Sequence, residues 1–170
     1  MPDSSPPTLL VGVIPGQPDA VVLHAARLAK RVGARLVCAT VEISRYTVLE
    51  HPDGSVRSMT IDPDVGELRE EPFDARLEAH LRELLDPTGA EWSTRALAGD
   101  PARALAQLAE TVDAMMIVVG TREHGLRGSL HEFFSGSVAV HLAHRQHRPV
   151  LIVPLAPVGF EAALPWDPAS

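Results

Sequence analysis

Residues 9–14 (LLVGVI) form an unbroken apolar run, and residues 15–18 (PGQP) end it. A run of this length between turn-forming residues is typical of a strand buried on both faces of a sheet. Asp19 is then placed to cap a helix whose apolar residues recur at helical spacing until Gly33, and residues 36–41 (LVCATV) form a second apolar run. This part of the chain therefore predicts a βαβ unit with a right-handed crossover.

The same alternation continues downstream. The apolar pattern predicts an amphipathic helix over residues 73–85, a strand over 92–97, a helix beginning at Asp100-Pro101, a strand over 115–119, a helix over 137–147 and a strand over 150–153. Five strands that alternate with helices indicate an α/β fold with a doubly wound parallel sheet. The last strand is apolar and stands between two prolines, which favours a position at the edge of the sheet.

One stretch departs from this alternation. Two β-rich runs flank the turn Pro52-Asp53-Gly54, in which proline fixes φ and glycine supplies a positive φ. We therefore expect a β-hairpin inserted after the second strand, over residues 45–61, and we interpret the acidic residues 62–71 as a linker.

Composition narrows the class of protein. The 170 residues are 45% hydrophobic and 22% charged, with Cys38 as the single cysteine, which is typical of one globular domain without a disulfide framework. Residues 1–7 have no basic and apolar signal pattern, and no apolar run is long enough to span a bilayer, so we expect a cytoplasmic protein that does not associate with membranes. The net charge of −7 argues against nucleic-acid binding.

The charge is unevenly distributed along the chain. Residues 62–91 contain ten acidic residues and three arginines, whereas residues 121–148 contain two acidic residues, four arginines and five of the eight histidines. An anionic ligand is therefore expected at the later segment.

Glycines in this segment suggest where the ligand lies. In open parallel sheets, ligands bind beyond the carboxyl ends of the strands, and the segment GTREHGLRG (120–128) directly follows the fourth strand while Gly136-Ser137 opens the last helix. Glycines allow close backbone approach, a helix start presents unpaired NH groups, and Arg122 and Arg127 can bond phosphate. The alternative, that the glycines only make turns and Ser137 only caps the helix, stays open.

Known catalytic and metal motifs do not match. Gly120 and Gly125 have Walker A spacing, but Leu126-Arg127 replaces the required Lys and Ser/Thr. The sequence contains neither Gly-x-Gly-x-x-Gly after a strand nor Gly-x-Ser-x-Gly. Histidines 141, 144 and 147 spread around a helix and cannot converge on one ion. We therefore expect no catalytic residues and no metal ligands, and no enzymatic activity.

Several of these segments together resemble one family. Residues 116–122 (MIVVGTR), 136–138 (GSV) and 148–154 (RPVLIVP), with the start 9–13 (LLVGV) and 33–37 (GARLV), are similar to the universal stress protein family, with a UspA-like domain. The resemblance covers residues 8–154 and leaves 155–170 as a C-terminal tail.

The resemblance implies a Rossmann-like fold, akin to adenine nucleotide alpha hydrolases, with five parallel strands in the order 3-2-1-4-5. It implies a stress-response or signalling module that binds ATP, accompanied by Mg²⁺, and a homodimer formed through residues 150–153. The alternative is a dimeric protein-interaction module of the same fold without nucleotide. The binding residues that the motif and the strand ends imply are Val13, Val41, Gly120, Thr121, Arg122, Gly125, Arg127, Gly136, Ser137 and Val138.

The sequence departs from the family's nucleotide-binding pattern at two places. The family's loop is Gly-x2-Gly-x9-Gly-Ser/Thr, and here Glu123 replaces the second glycine with twelve residues before Gly136. The aspartate that the family places after the first strand is replaced at Ile14-Pro15. The ribose is therefore expected to lack a carboxylate partner, which leaves recognition to the phosphates and to backbone groups near Val41.

Overall fold

A computed structural model describes residues 6–43, 45–60, 69–70, 72–121, 136–155, 157 and 159–161. In these ranges the strands are β1 (Thr8–Gly12), β2 (Arg35–Glu42), β3 (Arg45–Glu50), β4 (Val56–Thr60), β5 (Arg69–Glu70), β6 (Trp92–Ala98), β7 (Ala114–Gly120) and β8 (Val150–Val153). The α-helices are α1 (Ala20–Val32), α2 (Ala75–Leu85), α3 (Pro101–Thr111) and α4 (Gly136–Arg145). None of the helices in the described ranges combines the length and the apolar character that a membrane span requires.

The main sheet has five strands in the order β6-β2-β1-β7-β8. Every neighbouring pair in it is parallel. Numbered along the chain as the parallel strands alone, this is the expected order 3-2-1-4-5, so the predicted fold class is confirmed. The last strand, β8, lies at one edge, as its flanking prolines suggested.

Helices cover both faces of the sheet, and each face has its own apolar cluster. Alternate residues of β1 face opposite ways: Leu9 and Val11 join the cluster under α1 and α2, and Leu10 joins the cluster under α3 and α4. All three side chains are fully buried. The unbroken apolar runs seen in the sequence therefore reflect strands that are covered on both faces.

The hairpin forms as predicted and packs on the α3 face. β3 and β4 pair antiparallel around the turn, where Gly54 has φ +82°. A Cβ at Gly54 would lie 2.6 Å from Leu108 Cδ1, and Val56 is buried in the α3 cluster. The Arg95 Nε of β6 donates to the Asp53 carbonyl oxygen at 3.1 Å. The hairpin is therefore fixed to the body of the domain.

One element was not expected from the sequence. Arg69–Glu70, inside the stretch interpreted as a linker, forms the short strand β5, which pairs antiparallel with β4. A third strand stabilises a hairpin that would be marginal alone.

The sequence predicted two aspartate caps, Asp19 and Asp100, and one of them forms. The Asp100 side chain accepts from Arg103 N at 2.8 Å, as expected for an N-cap, and α2 begins after Asp74, which accepts from Leu77 N at 2.8 Å. The expectation that Asp19 caps α1 was wrong. Its side chain makes no cap bond and instead accepts from His80 Nε2 of α2 at 2.7 Å. This contact joins α1 to α2.

Candidate functional site

The parallel strands all end at one edge of the sheet, which we call the carboxyl edge. α1 and α2 lie on one face, whereas α3 and α4 lie on the other, so the chain changes direction between β1 and β7. At this point the connections that follow β1 and β7 run to opposite faces of the sheet and leave a crevice between them. Such a place is called a topological switch point, and ligands of open α/β sheets bind there. Val13, Val41 and Gly120 stand at the ends of β1, β2 and β7, next to this point.

Val13 and Val41 can offer only their backbone to a ligand. Val13 is 1% exposed and joins the α1 cluster, whereas Val41 is 8% exposed and joins the α3 cluster. The Val13 amide is already engaged, because it donates to the Ala39 carbonyl oxygen at 2.9 Å. The two valine side chains therefore anchor the strand ends from opposite faces.

Gly120 is surrounded by the protein's own side chains. A Cβ at this position would lie 2.9 Å from Leu155 Cδ1 and 2.9 Å from Val21 Cγ2. The lack of a side chain here is therefore needed for internal packing, whereas the sequence suggested close approach to a phosphate as the reason for this glycine.

Thr121 is tied to the chain that follows β8. Its backbone N donates to the Val153 carbonyl oxygen at 2.9 Å, and its Oγ1 accepts from Leu155 N at 2.8 Å. The hydroxyl therefore has a structural partner and fixes the start of the glycine-rich segment.

The start of α4 lies at the carboxyl edge, because this helix follows β7 and leads back to the start of β8. Gly136 is its first residue, and Val138 is buried in the α3–α4 cluster, so the first turn is anchored to the sheet. The first turn contains no acidic residue, whereas the last turn contains His144 and Arg145. No acidic residue within this first turn offsets the positive end of the helix dipole at the carboxyl edge.

Two polar side chains near the end of β1 each have a partner within the fold. Gln17 Oε1 accepts from Ile14 N at 3.0 Å, and the Asp19 carboxylate holds His80. Gln17 lines a small cavity of about 10 Å³ beneath α2, which has room for about one water molecule. Sequence reasoning missed the role of Gln17, although a glutamine three residues after Ile14 in a Pro-Gly turn was the available signal.

Arg122, Gly125 and Arg127 lie outside the described residues, and of Ser137 only the helical backbone is described. Val13, Val41, Gly120 and Thr121 do come together at the carboxyl edge with the start of α4.

A larger cavity lies elsewhere, between α3 and the end of α4. It has a volume of about 460 Å³ and is bordered by Arg103, Arg145 and Arg148. Arg148 Nε donates to the Ala114 carbonyl oxygen at 2.7 Å. The carbonyl end of α4 faces this region, and helix carboxyl ends disfavour anions. Among the described side chains, no group of three His, Cys, Asp or Glu is placed to hold a metal ion.

The model of the family described as the universal stress protein family matches residues 7–154. The chain is also similar to solved structures, although no curated protein matches it. A universal stress protein in complex with cAMP is 24% identical with a TM-score of 0.55, over 90% of this chain and 100% of that chain. One from Archaeoglobus fulgidus is 18% identical with a TM-score of 0.56, over 88% and 94% of the two chains.

A further structure, the universal stress protein from Archaeoglobus fulgidus in complex with dAMP, is 18% identical with a TM-score of 0.53, over 86% of this chain and 97% of that chain. At these identities the structural similarity concerns the fold. The family match, in contrast, spans the main sheet from β1 to β8 and its helices, which is most of the chain. The chain belongs to the universal stress protein family.

Proposed function

We propose that this protein binds an adenine nucleotide at the carboxyl edge and acts as a cytoplasmic stress-response or signalling module. The observation that carries the proposal is the start of α4, where Gly136 opens the helix at the switch point and the first turn contains no acidic residue. Unpaired NH groups and a partial positive charge suit a phosphate group.

The ligand class has independent support from the fold. Two of the similar structures are complexes with cAMP and with dAMP, both of them adenine nucleotides. In this chain the base would lie near the backbone at Val41 and Val13, and the phosphates near Gly136 and Ser137. We propose ATP, accompanied by Mg²⁺, as the nucleotide, with Arg122 and Arg127 as further phosphate partners.

We propose binding without catalysis. A hydrolase needs a general base or a metal ligand beside the phosphates. The carboxylate described near the end of β1, that of Asp19, holds His80 instead. The sequence also lacks the Lys-Ser/Thr pair that would hold phosphate and Mg²⁺ in a Walker A loop.

A second function, a dimeric protein-interaction module without nucleotide, is favoured by one observation. β8 lies at the edge of the sheet, and Ile152 on it is 46% exposed. An apolar edge strand invites pairing with another chain. The two functions differ in whether nucleotide is bound, since a homodimer is compatible with both.

The experiment compares the wild-type protein with Gly136→Val by calorimetric titration of ATP. The added side chain closes the approach to the helix start, so binding should be lost while unfolding stays cooperative. Ala143→Val, which enlarges an exposed residue of the same helix, is the matched control and should bind as the wild type does. Undiminished ATP binding by Gly136→Val would place the site elsewhere.

Absorbance of the purified wild-type protein separates the two functions. An excess at about 260 nm, with a base released on denaturation, supports a nucleotide-binding protein. Protein that purifies free of nucleotide and gives no heat with ATP favours the interaction module.

A further inference from the structure

Leu155, just beyond β8, is attached to the end of β7 through both its backbone and its side chain. Its backbone N donates to Thr121 Oγ1 at 2.8 Å. Its Cδ1 lies 2.9 Å from the position that a Cβ of Gly120 would take, and Val21 Cγ2 of α1 lies at the same distance from that position. Leu155 therefore occupies space that is available only because residue 120 is glycine.

A third contact completes the attachment. The backbone N of Thr121 donates to the Val153 carbonyl oxygen at 2.9 Å. Both the backbone and the hydroxyl of Thr121 are thus bonded to residues 153–155. Leu155 is half-buried and packs against the α1 cluster, which immobilises this end of the attachment.

We infer that Leu155 is a positioning residue that fixes Gly120 and Thr121 at the carboxyl end of β7. This inference rests on the proposed function for its ligand, because Gly120 and Thr121 lie at the carboxyl edge, where the nucleotide would bind. The C-terminal residues after β8 thereby take part in the site without touching the nucleotide.

The competing explanation is that Leu155 only adds apolar contacts to the core. Leu28 provides the matched control, because it is also a half-buried leucine packed against the α1 cluster, in the second half of α1. Leu155→Ala and Leu28→Ala remove the same atoms. A purely structural role predicts the same behaviour for both variants.

Two readouts separate the explanations, and both use the full chain. The first is the hydrogen-exchange rate of the Thr121 amide, which reports local opening of this attachment. The second is the dissociation constant for ATP. We expect Leu155→Ala to raise both by about tenfold or more, which for the dissociation constant corresponds to about 1.4 kcal/mol. Leu28→Ala should leave both near the wild-type values.

Thr121→Val is a second variant that tests the same attachment if Leu155→Ala does not fold. It removes the Oγ1 acceptor while keeping the branched shape, and it should also accelerate exchange and weaken ATP binding. Equal exchange rates and equal affinities in Leu155→Ala and Leu28→Ala would overturn the inference.

Failure of the proposed function gives a different result. If the wild-type protein does not bind ATP, that function is contradicted, and the exchange rate alone decides the inference. Faster exchange of the Thr121 amide in Leu155→Ala than in Leu28→Ala then supports positioning by Leu155, and equal rates overturn it.

Discussion

Cys38 lies in the middle of β2, and desolvation by burial raises the pKa of its thiol from about 9.0 to about 12. The folded protein therefore keeps this thiol protonated at pH values where the unfolded chain ionises it. Since the folded state then binds the extra proton, the contribution of Cys38 to stability is complete below pH 9.0 and declines as pH rises toward 12.

Cys38 should accordingly be inert in the native protein, because the thiolate is the reactive form. We expect no reaction with a thiol reagent such as DTNB at about pH 8. In urea the same residue should react within the mixing time. Rapid labelling of the folded protein would contradict the buried placement of β2.

The apolar residues Ile14 and Pro15, which directly follow β1, give a second prediction at this scale. Gln17 Oε1 accepts from Ile14 N and Asp19 Oδ1 accepts from His80, so both side chains are held within the fold and we expect neither to serve as a partner of the ribose. A site without a hydroxyl partner hardly distinguishes an analogue that lacks the hydroxyl. ATP and 2′-deoxy-ATP should therefore bind within about threefold, a difference of roughly 0.65 kcal/mol.

Calorimetric titrations measure the dissociation constants of ATP and 2′-deoxy-ATP, and a third titration with ADP measures the effect of removing the γ-phosphate. Because recognition falls on the phosphates, loss of the γ-phosphate should weaken binding more than loss of the 2′-hydroxyl. A hundredfold preference for ATP over its deoxy analogue would require another residue that binds the ribose.

At the scale of the elements, two aspartates stand at the starts of helices but form different hydrogen bonds. Asp100 caps α3 through its bond to Arg103 N, so Asp100→Ala should lower the free energy of unfolding by about 1 kcal/mol. Asp19 instead holds His80, and both side chains are close to half exposed, at 45% and 47%. Exposed pairs contribute about 0 to 1 kcal/mol, so Asp19→Ala should cost no more than this.

Urea unfolding of single and double variants measures the difference. In a His80→Ala background, Asp19→Ala should have no further effect, because the partner is already absent. In the same background, Asp100→Ala should lower the free energy of unfolding by as much as it does in the wild-type protein. If Asp19→Ala destabilised equally with and without His80, it would act through α1 after all.

Elements that bury apolar side chains could be predicted from the sequence, whereas elements that depend on a few polar contacts could not. The strands of the main sheet were found from their apolar patterns, and their ends were placed within two residues of the observed ones. The apolar pattern placed the start of α2 at Phe73, two residues early, because Phe73 packs against the α1 cluster although it precedes the cap at Asp74. The strand β5 has two residues and no pattern of its own.

Side-chain contacts between distant segments are harder to predict. Gly54 was recognised as a turn residue, but nothing in the sequence places it against Leu108. The same holds for Leu155 against Gly120, which are 35 positions apart. Topology therefore predicts a candidate site at the strand ends, whereas the packing around Gly120 does not follow from the sequence.

At the scale of the whole molecule, the two outer strands of the main sheet, β6 and β8, differ in what covers them. The hairpin packs against β6 at one edge through Arg95, and β8 forms the other with Ile152 46% exposed. We expect a two-fold homodimer through residues 150–153, in which the exposed apolar edge is buried. A buried aspartate without a partner is costly, so Ile152→Asp should yield monomers.

Light scattering at micromolar concentration tests the interface. Val32→Asp is the matched control, since Val32 is 41% exposed and lies at the end of α1, so its dimer should persist. A wild-type protein that is monomeric, or an Ile152→Asp variant that remains dimeric, would count against this interface.

The central claim is that an adenine nucleotide is held at the carboxyl edge, and one measurement tests both the binding and its place. Backbone amide resonances are recorded by NMR during titration of the full chain with ATP. The expected result is saturable shifts at Val13, Val41, Gly120 and Val138, with little change along the cavity at Arg103 and Arg145. Absence of shifts, or shifts centred on that cavity between α3 and α4, would contradict the claim.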